Sequence, residues 1–283
     1  MFNFGEEMKP INPVKTSLSD SALKVRKQKI ISQAAGAKAP ATDIQYLPHE
    51  HKIWEVVSTT LRPLWDKHVA NEVLEAREIV QLPLSRVPQL TEVSEHLKPA
   101  SGFSYHSVGG LVNVDEFFGA LADKSFLSTQ YLRHPKTPLY TPEPDIIHEV
   151  IGHGTLLADP DLARLHILAG KALVRVKTKQ AKQFVADIWW FSGEFGVLRQ
   201  GSKIRAFGAG LLSSVGELEQ LSRAEIKPLD IFEMGTTPYR IDSFQPILFA
   251  ADSIDHLMEV VGGFFAAASD ELIERILQER RWP

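Results

Sequence analysis

Apolar side chains recur at steps of three and four residues through most of the chain. Between residues 48 and 82 this helical spacing places six of them on one face: Trp54, Val57, Leu61, Trp65, Val69 and Val73. Pro63 lies inside this pattern, and because proline has no amide hydrogen we expect it to break or kink the helix. Residues 82–110 carry prolines and a Gly-Gly pair, so they are predicted to be rich in loops.

Asn113 marks the start of the next predicted helix. Its side chain can cap the first amide groups, and Glu116 three positions later forms an approximate capping box with it. The apolar pattern extends this helix to Tyr131. Another helix is predicted to end near Asp159, because the proline that follows disfavours helix. Further helices are predicted at 161–177, 180–198, 253–268 and 270–280, and short strands at 204–207 and in two fragments of 239–251. The pattern thus predicts a fold that is mainly α with a few short β-strands.

Residues 1–44 differ in composition from the rest of the chain. They are rich in Lys, Ser and Ala, contain few large apolar residues and are punctuated by Pro10, Pro13 and Pro40. We expect a flexible N-terminal segment here, in which residues 17–33 can form one amphipathic helix. Residues 45–283 show no composition break and no internal repeat, so they are predicted to form a single domain.

The amino-acid composition excludes several classes of function. The chain has 283 residues, 44% hydrophobic and 23% charged, as is ordinary for a globular protein. A formal charge of −4 provides no basic field for nucleic acid or for a membrane surface, so neither is expected as a partner. Without cysteine there is no disulfide, thiolate zinc site, iron–sulfur cluster or cysteine nucleophile. No secretory or transmembrane run is evident, which favours a cytoplasmic location.

The strongest chemical signal is a pair of histidines, His148 and His153, followed by Glu194 in an apolar run. A five-residue step rotates by about 140° on an α-helix, so the two rings converge only if the helix is distorted. Glu194 lies among aromatic neighbours, where an ionised carboxylate is costly unless a cation or hydrogen bonds compensate. Two histidines and one carboxylate are the ligands of non-haem ferrous iron. The alternatives are satisfied or exposed histidines and a glutamate that faces solvent.

Several sequence blocks, in the same order, resemble the pterin-dependent aromatic amino acid hydroxylases, most like the bacterial phenylalanine 4-monooxygenases. The resemblance covers about residues 46–256. The blocks are residues 129–134, 140–145, 190–196 and 207–217, and Tyr239 with residues 244–246.

This resemblance implies the aromatic amino acid hydroxylase catalytic-domain fold for residues 45–283. It implies a monooxygenase that uses Fe(II), a tetrahydropterin similar to tetrahydrobiopterin, and dioxygen to hydroxylate the ring of an aromatic amino acid. L-Phenylalanine converted to tyrosine is the expected reaction; a phenylalanine 3-hydroxylase that makes meta-tyrosine and a tryptophan hydroxylase are alternatives. No extended coiled-coil heptad is evident, so a monomer or weak dimer is expected.

The resemblance also implies roles for individual residues. His148, His153 and Glu194 would bind the iron. Arg133 would bind the substrate carboxylate, which suits a guanidinium fork, although it could form a surface ion pair instead. Asp145 would hold a ligand or Arg133 in place, or cap the following helix. The remaining substrate residues would be Thr141, Pro142, Trp190, Phe195, Gly210 and Ser213. The pterin residues would be Gly110, Leu111, Val112, Val114, Phe117, Glu149 and Trp189.

Three places near the proposed ligands depart from the residues usual in the family. Gly154 and Thr155 follow the second histidine where Val-Pro is common, Trp189 replaces a tyrosine, and Gly193 replaces a valine. We expect these changes to reshape the substrate or pterin pocket and to leave iron binding intact.

Two other function classes stay open. One is a zinc hydrolase that uses the same ligands with Glu149 as base; the five-residue step between the histidines counts against it, because zincins space them by four. The other is a non-catalytic descendant that binds an amino acid or a partner protein. Retention of all three ligands and of Arg133 counts against that reading.

Overall fold

The computed structural model describes residues 13–36, 39–241 and 243–282. The α-helices within these ranges are α1 (Asp20–Ile31), α2 (Pro48–His68), α3 (Asn71–Val80), α4 (Leu90–Ser101), α5 (Val114–Ala122), α6 (Thr155–Ala158), α7 (Pro160–Arg175), α8 (Lys179–Trp189), α9 (Ala209–Leu212), α10 (Val215–Gln220), α11 (Ile231–Met234), α12 (Ile254–Leu257), α13 (Gly263–Ala267) and α14 (Asp270–Glu279). The strands are β1 (Ser104–Ser107), β2 (Ser125–Ser128), β3 (Val197–Gln200), β4 (Lys203–Ala206), β5 (Glu225–Pro228) and β6 (Ile247–Ala251). The π-helices are His148–Gly154, Trp190–Glu194 and Met258–Gly262, and Leu221–Arg223 is a 3₁₀ turn. The fold is therefore mainly helical with a few short strands, as predicted.

Two small sheets connect the helices. Strands β1 and β2 form a parallel pair in which Tyr105 lies opposite Phe126. The second sheet has the order β4-β3-β6-β5; β3 is antiparallel to β4, and β6 is parallel to both β3 and β5. Strand β3 follows directly after the π-helix Trp190–Glu194, and β4 leads into α9. The second sheet therefore holds the two segments on either side of the candidate site.

Helix α7 is the central helix of the core. Its first turn is set by Pro160 and by Asp159, whose carboxylate accepts the amide hydrogens of Asp161 at 3.0 Å and Leu162 at 2.9 Å. A stripe at helical spacing is fully buried: Leu162, Leu165, Ala169 and Leu173. Burying a leucine side chain contributes about 1.5–3 kcal/mol relative to exposing it. This apolar stripe fixes α7 behind the π-helix of His148 and His153.

The prediction that residues 82–110 are rich in loops holds at both ends of this segment, but its middle contains α4 and β1. Its prolines mislead because Pro99 sits in the last turns of α4, where one lost amide bond is tolerated, and Gly102 ends the helix in the left-handed conformation at φ 86°. Burial of Leu90, Val93 and Leu97 on one face stabilises the helix.

Other predicted boundaries also needed correction. The helix that begins after Asn113 ends at Ala122, because Lys124 adopts φ 57° and turns the chain into β2. The segment 180–198 is not one helix: α8 passes into a π-helix and then into β3. Where the structure describes residues 239–251, they supply one strand, β6, instead of two. Pro63 lies inside α2 without breaking it, since α2 continues to His68.

The segment before residue 45 includes α1, so a helix forms where one was predicted, but its apolar residues do not gather on one face and Ile30 is its one buried residue. Ile30 and Ile44 are buried in the core, at 2% exposure each. Residues 1–12 and 37–38 lie outside the described ranges. The division into a flexible segment 1–44 and a single catalytic domain 45–283 therefore stays a prediction. In the part of the chain that the structure describes, no helix combines the length and apolarity needed to cross a membrane.

Helices α5 and α7 approach each other closely at Gly170. A Cβ atom there would lie 2.4 Å from the amide nitrogen of Ala122 and 2.5 Å from the carbonyl oxygen of Phe118. We expect Gly170→Ala to destabilise the protein by about 1–3 kcal/mol, because two helix backbones must move apart. Urea unfolding measures this change.

Gly119 on α5 is the matched control, because a Cβ there meets nothing within 4 Å. Gly119→Ala should stabilise the protein by about 0.5–1 kcal/mol through its higher helix propensity. Equal effects of the two substitutions would contradict the close approach at Gly170.

Candidate active site

A π-helix brings the two histidines together. His148–Gly154 is wound with the wider π-helical turn, in which residues five apart are neighbours. The rings of His148 and His153 lie 4.9 Å apart between centroids and are nearly perpendicular. The local distortion that the five-residue spacing required is therefore present.

A second π-helix delivers Glu194 to the same point. Its carboxylate lies 3.0 Å from His153 Nε2 through one oxygen and 3.7 Å from His148 Nε2 through the other. Glu194 is only 8% exposed, so the alternative that it faces solvent was wrong. The amide of Gly210, from α9, donates a hydrogen bond to its carboxylate.

The ring of His148 is oriented by a hydroxyl. Its Nδ1 lies 2.9 Å from Ser213 Oγ, and that hydroxyl also donates to the carbonyl oxygen of Ala209 at 2.8 Å. Because the Ser213 hydrogen is used on Ala209, His148 Nδ1 must be the donor to the serine oxygen. This tautomer leaves the Nε2 lone pair of His148 free to face Glu194.

Burial controls the charge of these groups. It lowers the pKa of His148 to about 4 and that of His153 to about 3, so both rings are neutral at pH 7. Burial also raises the pKa of Glu194, against the opposing effects of His148, His166 and the Gly210 amide. The site thus offers neutral nitrogen donors and a carboxylate that lacks a positive partner. A divalent cation would supply that charge, and the donor set fits non-haem Fe(II).

A second carboxylate, Glu149, lies beside the histidines. Ligand atoms of His148, Glu149 and His153 fall within 4.8 Å of one another. Burial raises the pKa of Glu149 well above its usual value, and the nearby Glu194 and Asp145 raise it further. Burial raises the pKa of Glu194 as well, so these shifts do not separate the two carboxylates. The approach of Glu194 to both Nε2 atoms, at 3.0 and 3.7 Å, favours Glu194 over Glu149 as the third ligand.

Arg133 and Asp145 form a buried bidentate pair. Arg133 Nε donates to Asp145 Oδ2 at 2.9 Å and Nη2 donates to Oδ1 at 2.8 Å, with side chains only 3% and 0% exposed. Asp145 Oδ1 also accepts the amide hydrogen of His148 at 3.2 Å. Burial would raise the pKa of Asp145, but Arg133 and the amide donors hold it below its usual value. Arg133 is thus not in a surface ion pair, and Asp145 fixes both Arg133 and the start of the metal-site helix.

Aromatic side chains form one wall of the site. The Trp190 ring stacks on Tyr239 at 4.4 Å and lies 4.7 Å from the Phe195 ring. Gly210 packs against Phe195, because a Cβ there would lie 2.7 Å from Phe195 Cζ. The structure therefore brings four predicted substrate residues to the side of the candidate metal ligands: Trp190, Phe195, Gly210 and Ser213.

The other predicted substrate residues lie on the loop before the π-helix. Arg133, Thr141 and Pro142 line a cavity of about 530 Å³ that is also lined by residues of α1. The lining of this cavity does not include His148 or His153. Arg133 is the residue that connects this cavity to the metal site, through Asp145.

The predicted pterin residues fall into two groups. Phe117 lies 5.4 Å from the Trp189 ring, Trp189 stacks on His153, and Glu149 is buried on the same π-helix as the histidines. The second group lies at the start of α5: Leu111 and Val114 are exposed, and Gly110 and Val112 are half-buried. The roles of both groups in pterin binding stay predictions.

Sequence reasoning missed three residues that contact the site. His166 on α7 lies 6.1 Å from His153 between ring centroids, and the ring of Phe126 lies 4.5 Å from His153. Gln245 accepts a hydrogen bond from Trp190 Nε1 at 3.4 Å. His166 could have been found from the sequence as a histidine on the apolar face of a predicted helix. Gln245 could have been found because it lies within one of the blocks that carry the family resemblance.

Comparison with known proteins decides the family. The family model described as biopterin-dependent aromatic amino acid hydroxylase matches residues 3–273. The chain belongs to this family. It is 40% identical to a phenylalanine 3-hydroxylase of Streptomyces coeruleorubidus, covering 92% of this chain and 94% of that protein. It is 36% identical to a chloroplastic phenylalanine 4-monooxygenase of Chlamydomonas reinhardtii, covering 94% of this chain and 74% of that protein.

Solved hydroxylase structures share the fold. The Chromobacterium violaceum phenylalanine hydroxylase with bound Fe(III) matches with a TM-score of 0.81 and 30% identity, over 91% of this chain and 94% of that one. A structure of the same protein with iron(III) and 7,8-dihydrobiopterin matches with a TM-score of 0.80 and 28% identity, over 94% of this chain and 96% of that one.

These matches confirm the fold, the cofactors and the reaction class. The hydroxylase uses iron and a pterin and acts on the ring of an aromatic amino acid. The alternatives of a zinc hydrolase and of a non-catalytic descendant find no support, because the family is enzymatic.

Two departures from the usual family residues are linked in the structure. A Cβ atom on Gly193 would lie 2.7 Å from Trp189 Nε1 and 2.9 Å from its Cε2. The indole therefore occupies the space that the usual valine would need. We expect Gly193→Val alone to destabilise the hydroxylase by about 1–3 kcal/mol, and the pair Trp189→Tyr with Gly193→Val to recover most of that loss. Urea unfolding of the four proteins in the cycle measures the coupling, and strictly additive effects would refute it.

Glu217 connects the aromatic wall to α10. Its Oε1 accepts the amide of Gln245 at 3.3 Å, and burial raises its pKa to about 8. An unfolded glutamate releases its proton near pH 4.3, roughly, so the folded state binds more protons between that pH and about 8. Stability is therefore expected to fall as the pH rises through this window.

Glu217→Gln should remove this loss, because the amide has no proton to release. Its thermal midpoint should match wild type at pH 5 and exceed it by several degrees at pH 9, at about 2–4 °C per kcal/mol. Glu219→Gln, at an exposed position on the same helix, is the control and should leave the pH profile unchanged. Parallel profiles for Glu217→Gln and wild type would show that Glu217 does not hold a proton.

Proposed function

We propose that this hydroxylase adds a hydroxyl group to the ring of L-phenylalanine, with His148, His153 and Glu194 as the ligands of Fe(II). The observation that carries the ligand proposal is the meeting of two neutral histidines and one buried carboxylate within 3.0–3.7 Å, from two separate π-helices. The names of the relatives support phenylalanine as the substrate. When bound, iron and the tetrahydropterin supply the oxidising chemistry with dioxygen.

The chain's own residues bind and orient the substrate. Arg133, held in a fixed orientation by Asp145, would bind the substrate carboxylate through its remaining donor, Nη1, which now makes a long 3.4 Å bond to the carbonyl oxygen of Pro138. Thr141 and Pro142 would border the amino acid backbone. Loss of Asp145 would leave Arg133 free to rotate.

The aromatic wall positions the substrate ring. Trp190 and Phe195 present apolar faces beside Glu194, while Gly210 and Ser213 leave room for the ring on the opposite side. On the other side of His153, Phe117, Trp189 and Glu149 would bind the pterin, with Gly110, Leu111, Val112 and Val114 at the outer end of that surface. The apolar shell excludes water from the reacting ring.

The sequence predicted the para carbon of the ring as the position of hydroxylation. The relative that is 40% identical over 94% of its own length is a 3-hydroxylase. Together with the altered residues Trp189 and Gly193 beside the ligands, this similarity supports the meta carbon. We therefore propose meta-tyrosine as the main product, with tyrosine and the hydroxylation of tryptophan as the alternative outcomes.

We also propose that the hydroxylase is cytoplasmic and functions as a monomer or weak dimer. Light scattering on the purified protein at low micromolar concentration measures its mass in solution. A stable tetramer would overturn the second part of this proposal.

The assignment of Glu194 as ligand predicts different effects for the two glutamates of the site. Glu194→Gln should weaken Fe(II) binding by more than the roughly 10–100-fold that loss of an outer partner costs, and activity should fall with it. Glu149→Gln should retain iron, because Glu149 is not a ligand in this assignment. Anaerobic chelator competition measures both affinities, and the reverse order would assign the ligand role to Glu149.

Product analysis tests the reaction. The protein is reconstituted anaerobically with Fe(II) and tetrahydrobiopterin and then exposed to oxygen with phenylalanine, tyrosine and tryptophan in parallel. We expect meta-tyrosine from phenylalanine, with oxygen uptake that requires both cofactors. Tyrosine as the main product would return the assignment to the para carbon, and hydroxylation of tryptophan alone would overturn phenylalanine as substrate.

A further inference from the structure

A cluster of unpaired polar atoms lies behind the proposed iron ligand His153. Five buried side-chain nitrogen or oxygen atoms in the described part of the chain have no hydrogen-bond partner there, and three of them meet at this point: His153 Nδ1, His166 Nε2 and Trp189 Nε1. Their residues are 1%, 1% and 7% exposed. An unpaired buried polar atom costs about 1–3 kcal/mol, so three together indicate a missing shared partner.

The three rings face one another. The centroid of His166 lies 6.1 Å from that of His153 and 5.9 Å from that of Trp189, with nearly perpendicular planes. The rings of His153 and Trp189 are parallel, at 5.9 Å. None of the three nitrogens has a hydrogen-bond partner among the described residues, so the rings do not bond one another directly, and one water at about 2.9 Å from each nitrogen would satisfy all three.

The donors and acceptors of the cluster are complementary. His166 Nδ1 lies 2.8 Å from the carbonyl oxygen of Leu162, so it carries the hydrogen and leaves Nε2 as an acceptor. Trp189 Nε1 can only donate. With Nε2 of His153 at the metal, its Nδ1 carries the hydrogen and also donates. One water can accept from both donors and donate to His166, and three hydrogen bonds are usual for a buried water.

We propose that His166 is a positioning residue for the iron ligand His153 and acts through one buried water that Trp189 also binds. This inference rests on the proposed function, in which His153 binds the iron. It gives His153 the outer hydrogen bond that Ser213 gives His148. It also accounts for Gly193. Because glycine has no side chain, it leaves room for the Trp189 indole, whose N–H is the third hydrogen-bond partner of the water.

The test compares variants of His166 for Fe(II) affinity by anaerobic chelator competition. His166→Phe keeps a ring and removes the acceptor, and should weaken Fe(II) binding about 10–100-fold. His166→Gln keeps an acceptor and should stay within a few fold of wild type. Trp189→Phe removes one of two donors and should cause a smaller loss than His166→Phe.

Two control variants accompany the His166 series. Ser213→Ala removes the hydrogen bond to His148 and should weaken iron binding in the same range as His166→Phe. His256→Phe, at a half-exposed histidine of α12, should leave iron binding unchanged. The thermal midpoint of each metal-free variant separates iron positioning from packing, because a purely structural role would move the midpoint and leave the affinity unchanged.

The outcomes separate this inference from the proposed function. Unchanged affinity in His166→Phe, alongside a loss in Glu194→Gln and Ser213→Ala, would overturn the role of His166 alone. Equal losses in His166→Phe and His166→Gln would overturn it too, because packing and not an acceptor would then matter. Unchanged affinity in Glu194→Gln and in His153→Ala would instead overturn the proposed metal site.

A measurement on the wild-type protein decides the case even if His166→Phe fails to fold. In protein labelled with ¹⁵N and loaded with Zn(II), histidine nitrogen shifts report which ring nitrogens carry hydrogen. We expect hydrogen on Nδ1 of both His153 and His166, with a contact from the His153 hydrogen to a bound water. Hydrogen on Nε2 of His166 would refute the proposal.

Discussion

The burial of one carboxylate between two neutral histidines is the constraint on which the rest of this structure depends. Glu194 lies in an apolar interior where its charge has no positive side chain to compensate it, since its neighbours His148 and His153 are uncharged at neutral pH. Such a group is unfavourable in the metal-free protein and favourable once a divalent cation binds. In the proposed site, the metal-free protein is therefore destabilised at this point, and binding of a cation would remove that destabilisation.

Two π-helices make this arrangement possible. A regular α-helix would direct His148 and His153 to different faces, and the wider turn brings them to one side. The second π-helix ends at Glu194 and places its carboxylate beside the two histidines, together with the aromatic residues around it. The surrounding packing maintains this unusual winding, with Asp145 at one end of the first π-helix and α7 behind it.

The residues around the proposed ligands restrict the rotation of the side chains that form the site. Ser213 fixes His148, Asp145 fixes Arg133, and Gln245 holds Trp190. Trp189 and Gly193 fit each other sterically, which explains why two departures from the family occur together one helical turn apart. The departures of this hydroxylase from the usual family residues thus lie beside the proposed ligands, among the residues that support them.

The residue types and their order determined the family, the metal and the broad reaction, because ligand identity and the family blocks are local properties of the sequence. Helices with strong apolar periodicity, such as α7 and α14, followed for the same reason. Tertiary packing alone decided the boundaries near Pro99, Lys124 and Val197, where burial and strand pairing outweigh local propensity. It alone also brought His166 to His153 and Glu194 to both histidines, because distances between separate helices are set only when the chain is folded.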